Sequence, residues 1–322
     1  MNIAAVPSSE VSLARAIGDA SVVAFNVGPG GEAWLVLALR PLDDRTQDNG
    51  FAIFPKTMPD VPQRYRVVCV RSGLVELDVA IDGEPFNLHE VQPVGDLILL
   101  ACSRCQYRGP DDFDLNGRLY SRDGRFVRGM LLGDGIETLQ ATRSGEVWAA
   151  YFDEGVFGNF GWQRPIGAPG LIAWGAAGEK LYEYEAGGGA GPIDDCYALN
   201  VSSDDEAWCC YYSNFPLVRL HQKRIASLWE IPVSGSHAFA VGDGHALFAG
   251  GYKARDAYHL LRLGSNGKAE EIGRFELRDA QGAAVTAERV VGRGRSLHVL
   301  SGTTLHEIDI RTVLASPSFG RR

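Results

Sequence analysis

Gly145-Glu146-Val147-Trp148-Ala149-Ala150-Tyr151-Phe152 is a turn glycine and an acidic residue followed by a run that is apolar at both parities. Counterparts start at Gly31 (Gly-Glu-Ala-Trp-Leu-Val-Leu-Ala), Gly95 (Gly-Asp-Leu-Ile-Leu-Leu-Ala-Cys), Asp205 (Asp-Glu-Ala-Trp-Cys-Cys-Tyr-Tyr), Gly244 (Gly-His-Ala-Leu-Phe-Ala-Gly-Gly) and Arg295 (Arg-Ser-Leu-His-Val-Leu-Ser-Gly). The starts lie 64, 50, 60, 39 and 51 residues apart. A supersecondary unit recurring at such distances marks a repeat architecture. A strand that is apolar on both faces is covered on both faces, which is the environment of a sheet packed between two others.

Four β-rich runs can be read in most repeats. In the third they are 137–143, 146–152, 170–174 and 180–185; in the fourth, 196–201, 206–212, 217–221 and 225–231. Four antiparallel strands repeated radially form a β-propeller blade. The expected fold is therefore all-β, a six-bladed β-propeller of four-stranded antiparallel blades in a single domain over 1–322. The expected blades are 18–84, 85–134, 135–191, 192–235, 236–286 and 287–310 plus 1–8. The first spacing of 64 also leaves five or seven blades open. The last repeat lacks a fourth strand, because only a polar tail follows 304–310, so residues 2–6 are expected to supply it and remove an exposed edge. The one helical turn expected lies within 9–17. The Trp148 position is filled in order by Trp34, Ile98, Trp148, Trp208, Leu247 and His298, which read as inter-blade packing, with His298 as a core histidine.

The formal net charge of −9 and pI near 5.3 argue against a nucleic-acid partner, since phosphate contacts need clustered Lys and Arg. No basic segment followed by an apolar one opens the chain, and no run approaches a membrane span, so no membrane partner and a cytoplasmic location are expected. Six cysteines in this length make no disulfide framework. Cys69, Cys102, Cys209 and Cys210 lie in apolar runs, where a thiol behaves as a small hydrophobe. Cys102-Ser103-Arg104-Cys105 is a lone CxxC, without the second pair a structural zinc site needs.

In a propeller, strand direction alternates. The turns before the second strands are tight here, whereas 40–63, 103–114, 153–169, 186–192 and 253–257 all fall on the opposite face. Loops on a rigid scaffold carry function. The richest, 151–170, holds Asp153, Glu154, Phe157, Asn159, Phe160, Trp162 and Arg164, a mixture that suits a ligand pocket. The inner strands begin at the same face with Asn87, Glu137, Asp194, Asp195, His237 and Glu288, and Asp134 precedes one of them. Asp134, Asp153, Glu154, Phe157, Asn159, Trp162, Arg164, Asp194 and Asp195 are the expected ligand-binding residues. Asn87, Glu137, Asp195 and Glu288 are oxygen donors that would suit Ca²⁺ or another divalent cation, with His237 as a candidate general base. The competing reading is turn chemistry and hydrated carboxylates.

The stretches 151–159 with 165–171, 195–201 and 215–219 together resemble a group of uncharacterised bacterial propeller-like proteins, over about 85 residues that carry no assigned activity. The blade count is also similar, in architecture alone, to SMP-30/gluconolactonase and strictosidine-synthase-like propellers. That likeness implies a cation held near the channel by carboxylates and Asn. Three functions follow as expectations: a binding propeller that takes a protein, basic by charge complementarity, or a small molecule on its long-loop face; a metal-dependent hydrolase or lactonase; and an acidic immunity or inhibitor protein.

Overall fold

The structure, a computed structural model, describes residues 4–6 (backbone only), 8–46 and 54–316. The chain divides into two compact units, residues 15–184 and residues 1–14 with 185–322. Each holds three antiparallel four-stranded blades, and the fold is the all-β six-bladed propeller expected.

In the first unit, blade one is Ser21–Val27, Ala33–Ala38, Gln63–Arg71 and Leu74–Glu84. Blade two is Glu90–Val94, Leu97–Ala101, Gly117–Ser121 and Phe126–Met130, with a small hairpin (Tyr107–Gly109, Asp112–Phe113) between its second and third strands. Blade three is Ile136–Ala141, Val147–Tyr151, Leu171–Trp174 and Lys180–Glu183. In the second unit, blade four is Asp195–Val201, Glu206–Tyr212, Leu217–His221 and Arg224–Trp229, and blade five is Ala238–Gly242, His245–Ala249, Tyr258–Leu263 and Ala269–Leu277. Blade six is Arg289–Arg293, Ser296–Ser301 and Thr304–Asp309, closed by Ser9–Ser12.

The second strands are largely buried, sharing hydrophobic clusters with the neighbouring blade of the same unit, as Val36 does with Val91 and Ile98, and Ala149 with Leu99 and Leu119. Ala33–Ala38 and Val147–Tyr151 have no exposed residue. Fully burying each large side chain there stabilises by about 1.5–3 kcal/mol. His298 is 5% exposed at the tryptophan position, and burial pushes its pKa down, as a core histidine requires.

Two devices recur at matched positions of blades one and four. In Asn26-Val27-x4-Glu32-Ala33-Trp34 and Asn200-Val201-x4-Glu206-Ala207-Trp208 the spacing is identical. The Trp34 indole donates to Glu32 Oε1 at 3.3 Å and the Trp208 indole to Glu206 Oε1 at 2.9 Å. Each carboxylate also pairs with an arginine, Arg71 or Arg219. The buried Asn26 amide donates to the Leu139 carbonyl of blade three and to Glu90 of blade two. Asn200 donates to the Phe239 and Gly294 carbonyls and accepts from the Gly294 amide. One amide thus ties together the inner strands of the three blades in each unit. Gly292 permits the approach in the second unit, since a Cβ there would lie 1.8 Å from the Phe239 oxygen.

Three expectations change. Residues 2–6 do not close blade six: Ala4–Val6 pairs parallel with Ala269–Leu277 at the rim of blade five, while residues 2 and 3 lie outside the described residues. Ser9–Ser12 takes the closing position instead, because Leu13 to Ile17 bury Leu13, Ala16 and Ile17 and so fix where the strand must stop. The helical turn expected within 9–17 accordingly occupies only Ala14–Ile17. After Asp309 the chain forms a helix, Ile310–Ala315, rather than a polar tail. Asp309 caps it through Arg311 N at 2.7 Å, and Ile310 and Val313 bury into the core.

Candidate functional site

The long loops of blades two and three are locked to each other. Arg104, in the CxxC, is buried, donates to Asp134 Oδ2 at 3.0 Å and also pairs with Glu154. Its guanidinium lies 4.2 Å from the Phe160 ring centroid. Asp134 Oδ1 accepts from Cys105 N at 2.8 Å. The Trp162 indole donates to the Cys105 carbonyl at 2.8 Å, with Tyr107 against its ring at 4.7 Å. Burial pushes the Asp134 carboxyl up to about 6, against the pull of Arg104 and two backbone amides. Cys102 and Cys105 are free and buried, and burial holds both thiols well above their usual range, so they pack rather than react.

Of the sequence candidates in this region, Asp134, Glu154 and Trp162 are therefore partners within the joint. Asp153 accepts from Glu154 N and Asn159 from Phe160 N, closing local turns. Phe157 is 67% exposed, and Arg164 is exposed. Arg104, which holds the joint together, sits inside a motif that sequence reasoning read only for its cysteines. The lone arginine between them was the available signal. A hollow of about 400 Å³ beside this joint is lined by Phe54, Lys56, Met58 and Phe160 among others, but Lys56 is already held by Asp43 and Asp60, each at 2.7 Å.

The oxygen-donor candidates are spread through the fold. Asn87 is buried and donates to the Asp43 and Lys56 carbonyls. Glu288 is exposed and accepts from Gly302 N at 3.0 Å. Glu137 and Asp195 are half-buried at the starts of inner strands. Among the described residues no group of three or more His, Cys, Asp or Glu side chains is placed to hold a metal ion.

Asp194 and His237 lead to a different place. Asp194 lines a cavity at blade four, and His237 lines one at the loop end of blade five that the start of blade six also bounds. One, of about 400 Å³, is bounded by Gly235, His237, Gly250, Gly251, Tyr252, Arg255, Asp256 and Tyr258, with Val285, Ala287 and Val290 as an apolar side. The other, of about 280 Å³, is bounded by the 189–192 linker, Asp194, Tyr211, Asn214, Trp229 and Glu230. Aromatic rings form the wall at this end of the two blades. His237 stacks on Tyr197 at 4.8 Å; Phe215 meets Tyr197 edge-on at 5.0 Å and Tyr252 at 5.7 Å; and the Tyr197 and Tyr252 hydroxyls bond to each other. Tyr212, 5.9 Å from Phe215, is 47% exposed and Tyr252 59% exposed. Tyr252 lies flat over Gly235, where a Cβ would come within 2.3 Å of the ring. The Asp194 carboxylate and the Arg255 and Asp256 side chains have no hydrogen-bond or ion-pair partner among the described residues.

Residues 170–307 match the YxzG family, under half of the chain, and include two of the stretches that carried the resemblance, 195–201 and 215–219. No curated protein matches. Among solved structures the chain is similar to a chain of the Mitotic Checkpoint Complex, with a TM-score of 0.53 and 7% identity, covering 96% of this chain and 93% of that one. It is also similar to U3-55K (TM-score 0.49, 10% identity, 91% and 96% covered). A third is a catalytically inactive virginiamycin B lyase from Staphylococcus aureus with quinupristin (TM-score 0.45, 11% identity, 94% and 99% covered). At such identities the first likeness speaks for the fold alone.

Proposed function

We propose that this protein is a binding propeller whose ligand seat lies at the long-loop ends of blades four and five. The observation that supports this reading is the aromatic wall of Tyr197, Phe215 and Tyr252 beside two cavities that carry uncommitted charged side chains. Binding sites combine apolar and aromatic walls with a few polar groups left free for the ligand. In the richer-looking loop of blade three, Glu154 and the Trp162 indole are already engaged by Arg104 and Cys105.

A thermal-shift screen of small metabolites and short peptides tests the reading on wild type and Tyr252→Ala. Compounds that stabilise wild type are expected to lose their effect in the variant. Tyr252 is largely exposed, so the variant keeps the fold. Hits that survive unchanged in Tyr252→Ala place the seat elsewhere.

A further inference from the structure

The larger cavity sets a cation and an anion next to each other on one short loop. Arg255 and Asp256 both line it, both are exposed, and neither has a hydrogen-bond or ion-pair partner among the described residues. Some exposed charges elsewhere pair off, as Arg66 does with Asp78, Arg262 with Glu270 and Arg311 with Asp243, and others, such as Arg164 and Lys253, do not among the described residues; what sets Arg255 and Asp256 apart is that both line one cavity. The loop that carries the two is well tied. Gly250 N donates to Ala257 O at 2.8 Å and Tyr252 N to Ser234 O at 2.9 Å. Gly250 is at φ +65, and a Cβ there would come within 2.7 Å of the Arg255 carbonyl oxygen. The backbone that carries the two charges is thereby fixed at one rim of the cavity, so binding has to order only their side chains.

We propose that this cavity takes a free α-amino acid with an apolar or aromatic side chain; the proposal rests on the seat described above and names its ligand class. The guanidinium of Arg255 recognises the carboxylate, a planar donor fork against two oxygens. The Asp256 carboxylate receives the α-ammonium. Val285, Ala287 and Val290 face the side chain, and the Tyr252 ring supplies an edge or a face to an aromatic group. A volume of about 400 Å³ is near the small end of ligand sites, in keeping with a ligand of this size. A ligand with one charge alone would leave the other protein charge without a partner.

The experiment is calorimetry on the full chain with three probes of one shape: L-phenylalanine, 3-phenylpropanoate (no ammonium) and phenethylamine (no carboxylate). Phenylalanine is expected to bind about tenfold or more tightly than either single-charge probe, the worth of one charge-assisted contact. Arg255→Ala weakens phenylalanine and phenylpropanoate but leaves phenethylamine unchanged. Asp256→Asn weakens phenylalanine and phenethylamine but leaves phenylpropanoate unchanged. Equal binding of the three probes, no binding of phenylalanine at millimolar concentration, or indifference to both substitutions overturns the amino-acid assignment. If that happens while Tyr252→Ala still abolishes other hits, the seat stands and only the ligand class falls. If Tyr252→Ala changes no hit, the seat itself falls.

Discussion

Asp134→Asn isolates the electrostatics of the joint between the two long loops of blades two and three. The wild-type carboxyl is 2% exposed and ionises at about 6, with burial outweighing Arg104, whereas an unfolded aspartate ionises near ~3.9. Below about 4, folded and unfolded chains both carry the neutral acid. Between the two values the unfolded chain has lost the proton and the folded chain still holds it. The folded state binds more protons, so stability falls as pH rises, and the loss is complete above the folded value. A difference of about two pKa units corresponds to about 3 kcal/mol. In the Asn variant that slope disappears. One of the two donors, Arg104 or Cys105 N, loses an acceptor, which costs about 1–3 kcal/mol at every pH. Urea unfolding followed by tryptophan fluorescence, run on both proteins from pH 4 to 8, gives the difference directly, because all other titrating groups cancel. Wild type is expected to lose about 3 kcal/mol relative to Asp134→Asn across that range. A difference that stays flat, or that moves in favour of wild type as pH rises, refutes the argument and makes Asp134 an ordinary ion-paired carboxylate.

Other outcomes follow from the same geometry. Arg104→Met leaves Asp134 buried without its cation and is expected to cost about 3–5 kcal/mol, with faster protease cleavage between 152 and 170 as a second readout. Asn200→Ala strands the Phe239 and Gly294 groups that it bonds and is expected to cost about 3 kcal/mol by denaturant titration; Asn26→Ala, in the matching position of the other unit, is expected to behave alike. Gly292→Ala drives a methyl group into the Phe239 carbonyl and is expected to destabilise by more than about 4 kcal/mol, seen as loss of soluble, cooperatively melting protein.

The fold was largely legible because its signal is repeated. Strands 206–212 and 217–221 were read to the residue, and the other strands of blades three and four to within about two residues, since turn glycines and acidic caps punctuate a run that must be apolar on both faces. The closing strand was misplaced because 2–6 and 9–12 are both short β-permissive runs, and which of them pairs with Thr304–Asp309 depends on the burial of Leu13, Ala16 and Ile17. The site was less legible. Composition drew attention to 151–170, where aromatics and charges are dense, but density does not reveal which groups are already satisfied. Arg104, some 50 residues upstream, satisfies Glu154 and lies over the Phe160 ring. Asp194 is expected among the ligand-binding residues and His237 as a general base, both from their place at inner-strand starts; that they line cavities beside an aromatic wall depends on Tyr197, Phe215 and Tyr252 meeting across a sequence distance that no local pattern reports. The Asn26 and Asn200 ties share the spacing of the Glu-x-Trp clamps, and that internal match was present in the chain to be found.

The central claim is that ligand recognition belongs to blades four and five. Its most direct measurement is the dissociation constant of a stabilising compound for wild type, the Tyr252→Ala/Arg255→Ala double variant and Phe157→Ala, the last at the exposed tip of the blade-three loop. The account predicts at least about a tenfold loss in the double variant and an unchanged constant for Phe157→Ala. Full affinity in the double variant together with loss in Phe157→Ala would contradict it.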